Sequence, residues 1–326
     1  MRIALAIVLW TAQVQLPFPL AHLQATLASA VSRAPGVAAV AVRDLGSSYM
    51  SGYNMNEVMP AASTIKIPIM VEVFRQMEAG RFDLNRHVQL MANDRDWGSG
   101  AIADAPVGEE FAVSTLLTQM ITVSDNTAAN MLIRLVGRQN INHTMQRLGL
   151  QHTLLADFIH TEGWDVRETL RTTPADMTRL LAEMAQKKLI DQWASAQMID
   201  ILEHQEINTL LPEPLPEIPI AHKTGSFSDT LNDVGIVYAA QPYVIAIFST
   251  ELPSLPVGRQ FIHRVSRIAY TQFQQLAKLR ASGSIAEPAD LSATPQPQDA
   301  AGDDQDESMW ATPPPTPSPS PGADNF

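Results

Sequence analysis

Three short fragments carry residue types that could share one reaction. In AASTIKIPIM, Ser63 stands three residues ahead of Lys66, which puts both side chains on one face of a helix. A serine hydroxyl is a weak nucleophile until a base takes its proton. A lysine desolvated in a pocket, or set beside another cation, can have a pKa low enough to serve. At a helix start the serine would also gain the N-terminal field and a free backbone N–H for an oxyanion. The same residues equally describe an N-cap serine followed by a solvated lysine.

The second fragment is ITVSDNTAANML, where Ser124, Asp125 and Asn126 interrupt two apolar helical runs. Either Asp125 or Asn126 simply caps the helix that begins at Thr127, or the three serve a site. In that case the Ser124 hydroxyl relays a proton, the Asn126 amide holds a substrate carbonyl, and Asp125 braces the loop. The third is AHKTGS, a β-run ending in Lys223, Thr224, Gly225 and Ser226. Gly225 permits close approach of backbone and ligand at a strand edge. Lys223 offers a fixed positive charge, and Thr224 and Ser226 offer hydrogen bonds, to an anionic group. The alternative is a hairpin turn with a surface lysine.

Positioning these fragments requires a particular set of elements. Leu23, Leu27 and Val31 form a helical stripe in AHLQATLASAVSRA. GVAAVAVRDL reads as a buried strand with SSYMSGYN as its hairpin partner. IPIMVEVFRQMEAG continues as a helix to Gly80. FAVSTLLTQMITV, ANMLIRLVG and TTPADMTRLLAEMAQ each repeat apolar residues every three to four positions, and Thr173-Pro174 is a cap followed by a first-turn proline. Strand character returns in IPIAHKTGS, DVGIVYAA and YVIAIFST, and RQFIHRVSRIAYTQFQQLAKL closes as a long amphipathic helix. Short turns between β-runs favour an antiparallel sheet, with the helical block inserted between its two sets of strands.

Composition limits what the site can be. The chain has 326 residues, 45% hydrophobic, with a formal net charge of −12. That acidic balance argues against nucleic-acid binding, which needs a basic face. Cysteine is absent, which excludes a thiol nucleophile, a thiolate metal site and disulfides. The histidines show no HExxH or similar spacing, so we expect neither metal nor cofactor. MRIALAIVLW has the charge-then-apolar shape of a secretory signal. The organisation we expect is an N-terminal apolar segment over 1–20, a catalytic domain over 21–280, and a tail over 281–326. That tail is rich in Pro, Ser and Asp and cannot bury enough apolar surface to order itself.

Ser-x-x-Lys at a helix start, then Ser-Asp-Asn, then Lys-Thr-Gly on a late strand form an ordered signature of class A β-lactamases and penicillin-binding proteins. Over residues 21 to 278 the chain resembles the class A β-lactamase and penicillin-recognising serine-hydrolase family. STIKIPIM, MITVSDNTAANML, RTTPADMTRLL and HKTGS match family segments as they stand. The resemblance implies an α+β fold of the serine β-lactamase/transpeptidase type. A five-stranded antiparallel sheet flanked by helices would pack beside an α-helical subdomain. It implies an acyl-enzyme on Ser63, Lys66 as base, and an oxyanion hole from the N–H groups of Ser63 and Ser226. Ser124 would pass a proton to the leaving nitrogen, and Lys223 with Thr224 would hold the substrate carboxylate.

Two departures stand out. Family enzymes that deacylate quickly carry Glu-x-x-x-Asn in a loop that here reads LLADFIHTEGWDVRETLRTTP. Glu162 is followed four residues later by Val166. Counting back from Thr173-Pro174 puts Asp157 at the glutamate position and Thr161 at the asparagine position. Asp157 and Glu162 are therefore the two candidate deacylating acids. Where an arginine is often found after the Lys-Thr-Gly strand, Asn232 and Asp233 stand instead, with Arg264 or Arg267 as candidate substitutes. We expect a monomeric, exported serine hydrolase, periplasmic, envelope-bound or extracellular, opening β-lactams. A D,D-peptidase-like action on cell-wall peptides and a slowly deacylating penicillin sensor or sink are the rival readings.

Overall fold

The computed structural model of the protein describes residues 18–47, 49–161 and 169–284. The apolar run at the N-terminus, the tail beyond 284 and Glu162 lie outside the described residues.

The chain begins with helix α1 (Phe18–Val31), strand β1 (Val37–Asp44) and its hairpin partner β2 (Met50–Tyr53). A two-residue strand β3 (Met59–Pro60) and a single 3-10 turn over Ala62–Ile65 lead into α2 (Lys66–Glu78). The helical block follows, with a small ribbon of β4 (His87–Gln89) and β5 (Glu110–Ala112) at its margin. Its helices are α3 (Val113–Thr122), α4 (Asn126–Val136) and α5 (Arg138–Arg147). Strands β6 (Leu154–Leu155) and β7 (Leu170–Thr172) complete a second small sheet with β3, before α6 (Pro174–Ala185) and α7 (Gln192–Glu203). The chain then returns to the main sheet through β8 (Ile220–Ser226), β9 (Leu231–Val237) and β10 (Tyr243–Thr250), and ends in α8 (Leu255–Ala281).

The five-stranded sheet has the order β2-β1-β10-β9-β8, antiparallel throughout, with Val37 opposite Thr250 and Ser226 opposite Leu231. This is the expected α+β architecture, with the early strands β1 and β2 and the late strands β8 to β10 on one sheet and the helical block inserted between. Every residue of β10 is buried, because the sheet is covered on both faces. Val244, Ala246 and Phe248 enter the core shared with the helical block, while Tyr243, Ile245 and Ile247 enter the core under α1 and α8. That two-sided burial is why the strand reads as an unbroken apolar run.

Helices α2 and α4 are buried almost all round, the condition of helices at the centre of a helical block. Strand β8 is an edge strand, so one row of its backbone groups is left without a sheet partner, and it packs against the Ala62–Ile65 turn. The fold thus brings the start of α2, the start of α4 and the edge of β8 together.

Candidate active site

Asp125 caps α4 by accepting from Ala128 N–H at 2.8 Å, as its polar position between apolar runs predicts. Its other oxygen accepts from Ala101 and Ile102 N–H at 2.8 and 2.9 Å, bracing the loop before it. The chain turns around that carboxylate at Gly100, where φ is +88° and a Cβ would meet Asp125 Oδ2 at 2.0 Å. Gly100 is therefore needed for this contact, while Gly98 lies against Thr161 instead. Just before the cap, Ser124 has φ of 62°, a left-handed conformation that costs a non-glycine residue of order 1 kcal/mol or more. In this conformation both its carbonyl and its hydroxyl lie within reach of one atom, Lys66 Nζ, at 2.5 and 3.1 Å.

Lys66 is wholly buried, and its third contact is Asn126 Oδ1 at 2.6 Å. Burial holds its pKa well below the usual lysine value. The nearby Lys223 adds to that effect, and Asp125 and Asp96 oppose it. Ser63 itself sits in the 3-10 turn and Lys66 is the first α-helical residue, so the helix starts later than the spacing alone suggests. The turn is pinned from β9, where Asn232 Nδ2 donates to Pro60 O at 2.8 Å and to Ala61 O at 3.2 Å.

Across the cleft, Lys223 is also wholly buried and donates to Thr224 O at 3.1 Å. Burial pushes its pKa down to about 7, against the pull of Asp233. Its charge is thus conditional near neutrality, where the sequence suggested a fixed one. Gly225 lies against the turn that holds Ser63: a Cβ there would meet Ala61 O at 2.9 Å and Ser63 N at 3.1 Å.

Ser63, Ser124, Asn126, Thr224, Gly225 and Ser226 line one cleft. With the two lysines behind them, all eight of these predicted residues converge. Ile159, Thr161, Ile207 and Phe227 line the same cleft. Among the described residues, no ionisable side chain lines the cleft, and no group of three or more His, Asp or Glu side chains is placed to hold a metal ion.

Of the two candidate deacylating acids, Glu162 lies outside the described residues, and Asp157 stands apart from the residues above. Asp157 is half-buried, accepts from Phe158 N–H at 2.8 Å, and is not among the lining residues. Among the described loop residues, Thr161 lines the cleft, and so does Ile159. Its backbone is clamped by the Asn130 side chain, which accepts from Ile159 N–H at 2.8 Å and donates to Ile159 O at 2.9 Å. Of the two positions that ungapped counting from Thr173-Pro174 marks, Thr161 lines the cleft and Asp157 does not. Arg264 and Arg267 are exposed on α8, outside the lining, and Asp233 pairs with His222 at 2.9 Å beneath the strand.

Asn130 and Asp96 were not singled out from the sequence. A buried asparagine within an apolar helix was a signal for the first. Asp96, in NDRDWGSG, had only its nearness to GSG.

A family model described as the Beta-lactamase enzyme family matches residues 22–273. The chain belongs to that family. Beta-lactamase BRO-1 of Moraxella catarrhalis is 25% identical over 215 residues, covering 62% of this chain and 67% of the relative. Among solved structures, PBP-A is 31% identical with a TM-score of 0.74, covering 78% of this chain and 97% of its own. A PBP-A variant is known as its acyl-enzyme with penicillin G, at 30% identity and a TM-score of 0.73, covering 78% of this chain and 97% of the variant. A β-lactamase of Sphaerobacter thermophilus is 29% identical with a TM-score of 0.70, covering 82% and 99%.

Proposed function

We propose that the protein is a serine hydrolase that opens β-lactams through an acyl-enzyme on Ser63. The observation that carries this reading is the buried Lys66 Nζ, bonded to Ser124 and Asn126 immediately behind a cleft that Ser63 lines. A lysine held well below its usual pKa gives up its proton more readily and can then accept the Ser63 proton. Ser63 Oγ then attacks the lactam carbonyl. Ser124, in contact with Lys66, passes a proton to the lactam nitrogen as the C–N bond breaks. The backbone N–H groups of Ser63 and Ser226 receive the carbonyl oxygen, and Lys223 with Thr224 receives the substrate carboxylate. Water then cleaves the ester and restores Ser63. The penicillin G acyl-enzyme of the PBP-A variant supports this route by similarity.

On this reading the protein acts as a monomer outside the cytoplasm, where β-lactams and cell-wall peptides are met. Ile159 in the cleft wall favours a second reading, slow release of the acyl group, because an isoleucine cannot take a proton from the deacylating water. A fluorescent penicillin tests both. The wild-type chain takes up one covalent label at Ser63, and Ser63→Ala takes up none. Equal labelling of Ser63→Ala would end the nucleophile assignment. Loss of label within seconds identifies a lactamase, and persistence for hours identifies a penicillin sink.

A further inference from the structure

Asp96 is not among the residues lining the cleft, yet it ties two of its walls together. It is 6% exposed. Oδ1 accepts from Gly98 N–H at 2.9 Å and from Asn126 Nδ2 at 2.8 Å. Oδ2 accepts from Thr161 N–H at 2.7 Å, and the Thr161 hydroxyl lies 3.0 Å from each oxygen. The backbone is fixed too: Asp96 N–H donates to Thr127 Oγ1 at 3.0 Å, and the same hydroxyl donates back to Asp96 O at 3.1 Å.

A carboxylate only accepts, so the Asn126 amide must present its NH2 end to it. The carbonyl end of that amide is then turned the other way, 2.6 Å from Lys66 Nζ. One N–H of Asn126 is consumed and one is left for a ligand. We propose that Asp96 is a positioning residue for acylation: it sets which end of the Asn126 amide faces Lys66, and it fixes the 159–161 segment against that amide. The inference rests on the acyl-transfer reading of the site.

A purely structural latch and a positioning residue differ in their effect on Lys66. The charged groups acting on Lys66 are Lys223, Asp125 and Asp96, and only the two carboxylates favour its protonated form. Burial alone would raise the pKa of Asp96, but hydrogen bonds from Asn126, Thr161 and Gly98 outweigh it and keep the group ionised. Removing its charge therefore makes Lys66 easier to deprotonate and also frees the Asn126 amide to rotate.

The test is the second-order rate of acylation by a fluorescent penicillin, measured on the full chain from about pH 5 to 9. D96N is expected to acylate roughly 10- to 100-fold more slowly, the loss expected for a hydrogen bond to a charged group. Its acid limb should move to lower pH. D96E, which keeps the charge but displaces it by a methylene, should slow acylation and leave the limb in place. A D96N protein with the wild-type rate and limb overturns the proposal, even if its Tm falls. If D96N does not fold, D96E decides: slower acylation on an unmoved limb supports the inference, and the wild-type rate overturns it. Labelling of Ser63→Ala would instead defeat the acyl-transfer reading itself.

Discussion

Lys66 and Lys223 are both wholly buried cations on paper, but they are made for opposite states. In the reaction we propose, Lys66 needs to be neutral to take a proton, and Lys223 needs to be charged to hold an anion. Lys223, at about 7, is protonated below that pH and loses its charge above it. Acylation by an anionic β-lactam should therefore fall as pH rises through about 7, since kcat/KM reports groups of the free enzyme. Arginine keeps its charge throughout. Lys223→Arg should thus lose this alkaline fall, whatever its absolute rate in a space shaped for lysine. A stopped-flow pH profile checks this, and an arginine variant that still falls near the same pH would assign the limb to another group.

Among the elements, α4 contributes more than its first residue. Asn126 contacts Lys66, and one turn on, Asn130 holds the backbone of Ile159 with a pair of hydrogen bonds. The helix thereby fixes which loop side chain enters the cleft, independently of that side chain's identity. Ile159→Glu should keep the clamp, since it is a backbone contact, and put a carboxylate into the cleft wall. The lifetime of the covalent penicillin label should then shorten at least about 10-fold, a modest fraction of what a placed general base can contribute. An unchanged lifetime with normal acylation would mean that the deacylating water is activated elsewhere.

At the scale of the whole molecule, burying two lysines has a consequence for stability. In the unfolded chain both titrate near the ordinary value, about 10.4. In the folded chain Lys66 is held well below it and Lys223 lies at about 7. Between about pH 7 and 10 the unfolded chain therefore binds more protons, and stability rises with pH. Each lysine contributes at most about 1.4 kcal/mol per pH unit. Tyr238 and Tyr243 act in the opposite direction only above about pH 10, because burial raises both. The Tm of the ligand-free protein should climb from pH 7 toward 9.5, and calorimetry giving a flat or falling Tm would contradict the depressed lysines.

Much of this was written in local pattern. The unbroken apolar run of β10, the Thr173-Pro174 start of α6 and the Asp125 cap of α4 are each fixed by neighbours in sequence, so the elements and their order were legible. The short strands β3 to β7 were not, because two or three residues show no period; only their partners make them strands. The three motifs by themselves determined which residues meet, since residue type and order sufficed to match a known signature. Only the tertiary structure decided their state. Desolvation by distant segments sets the lysine charges. Asp96 sets the direction of an amide 30 residues away in the chain. The clamp from α4 turns Ile159, not Asp157, toward the cleft. Burial and long-range hydrogen bonds depend on which surfaces close over a group, and no local spacing records that.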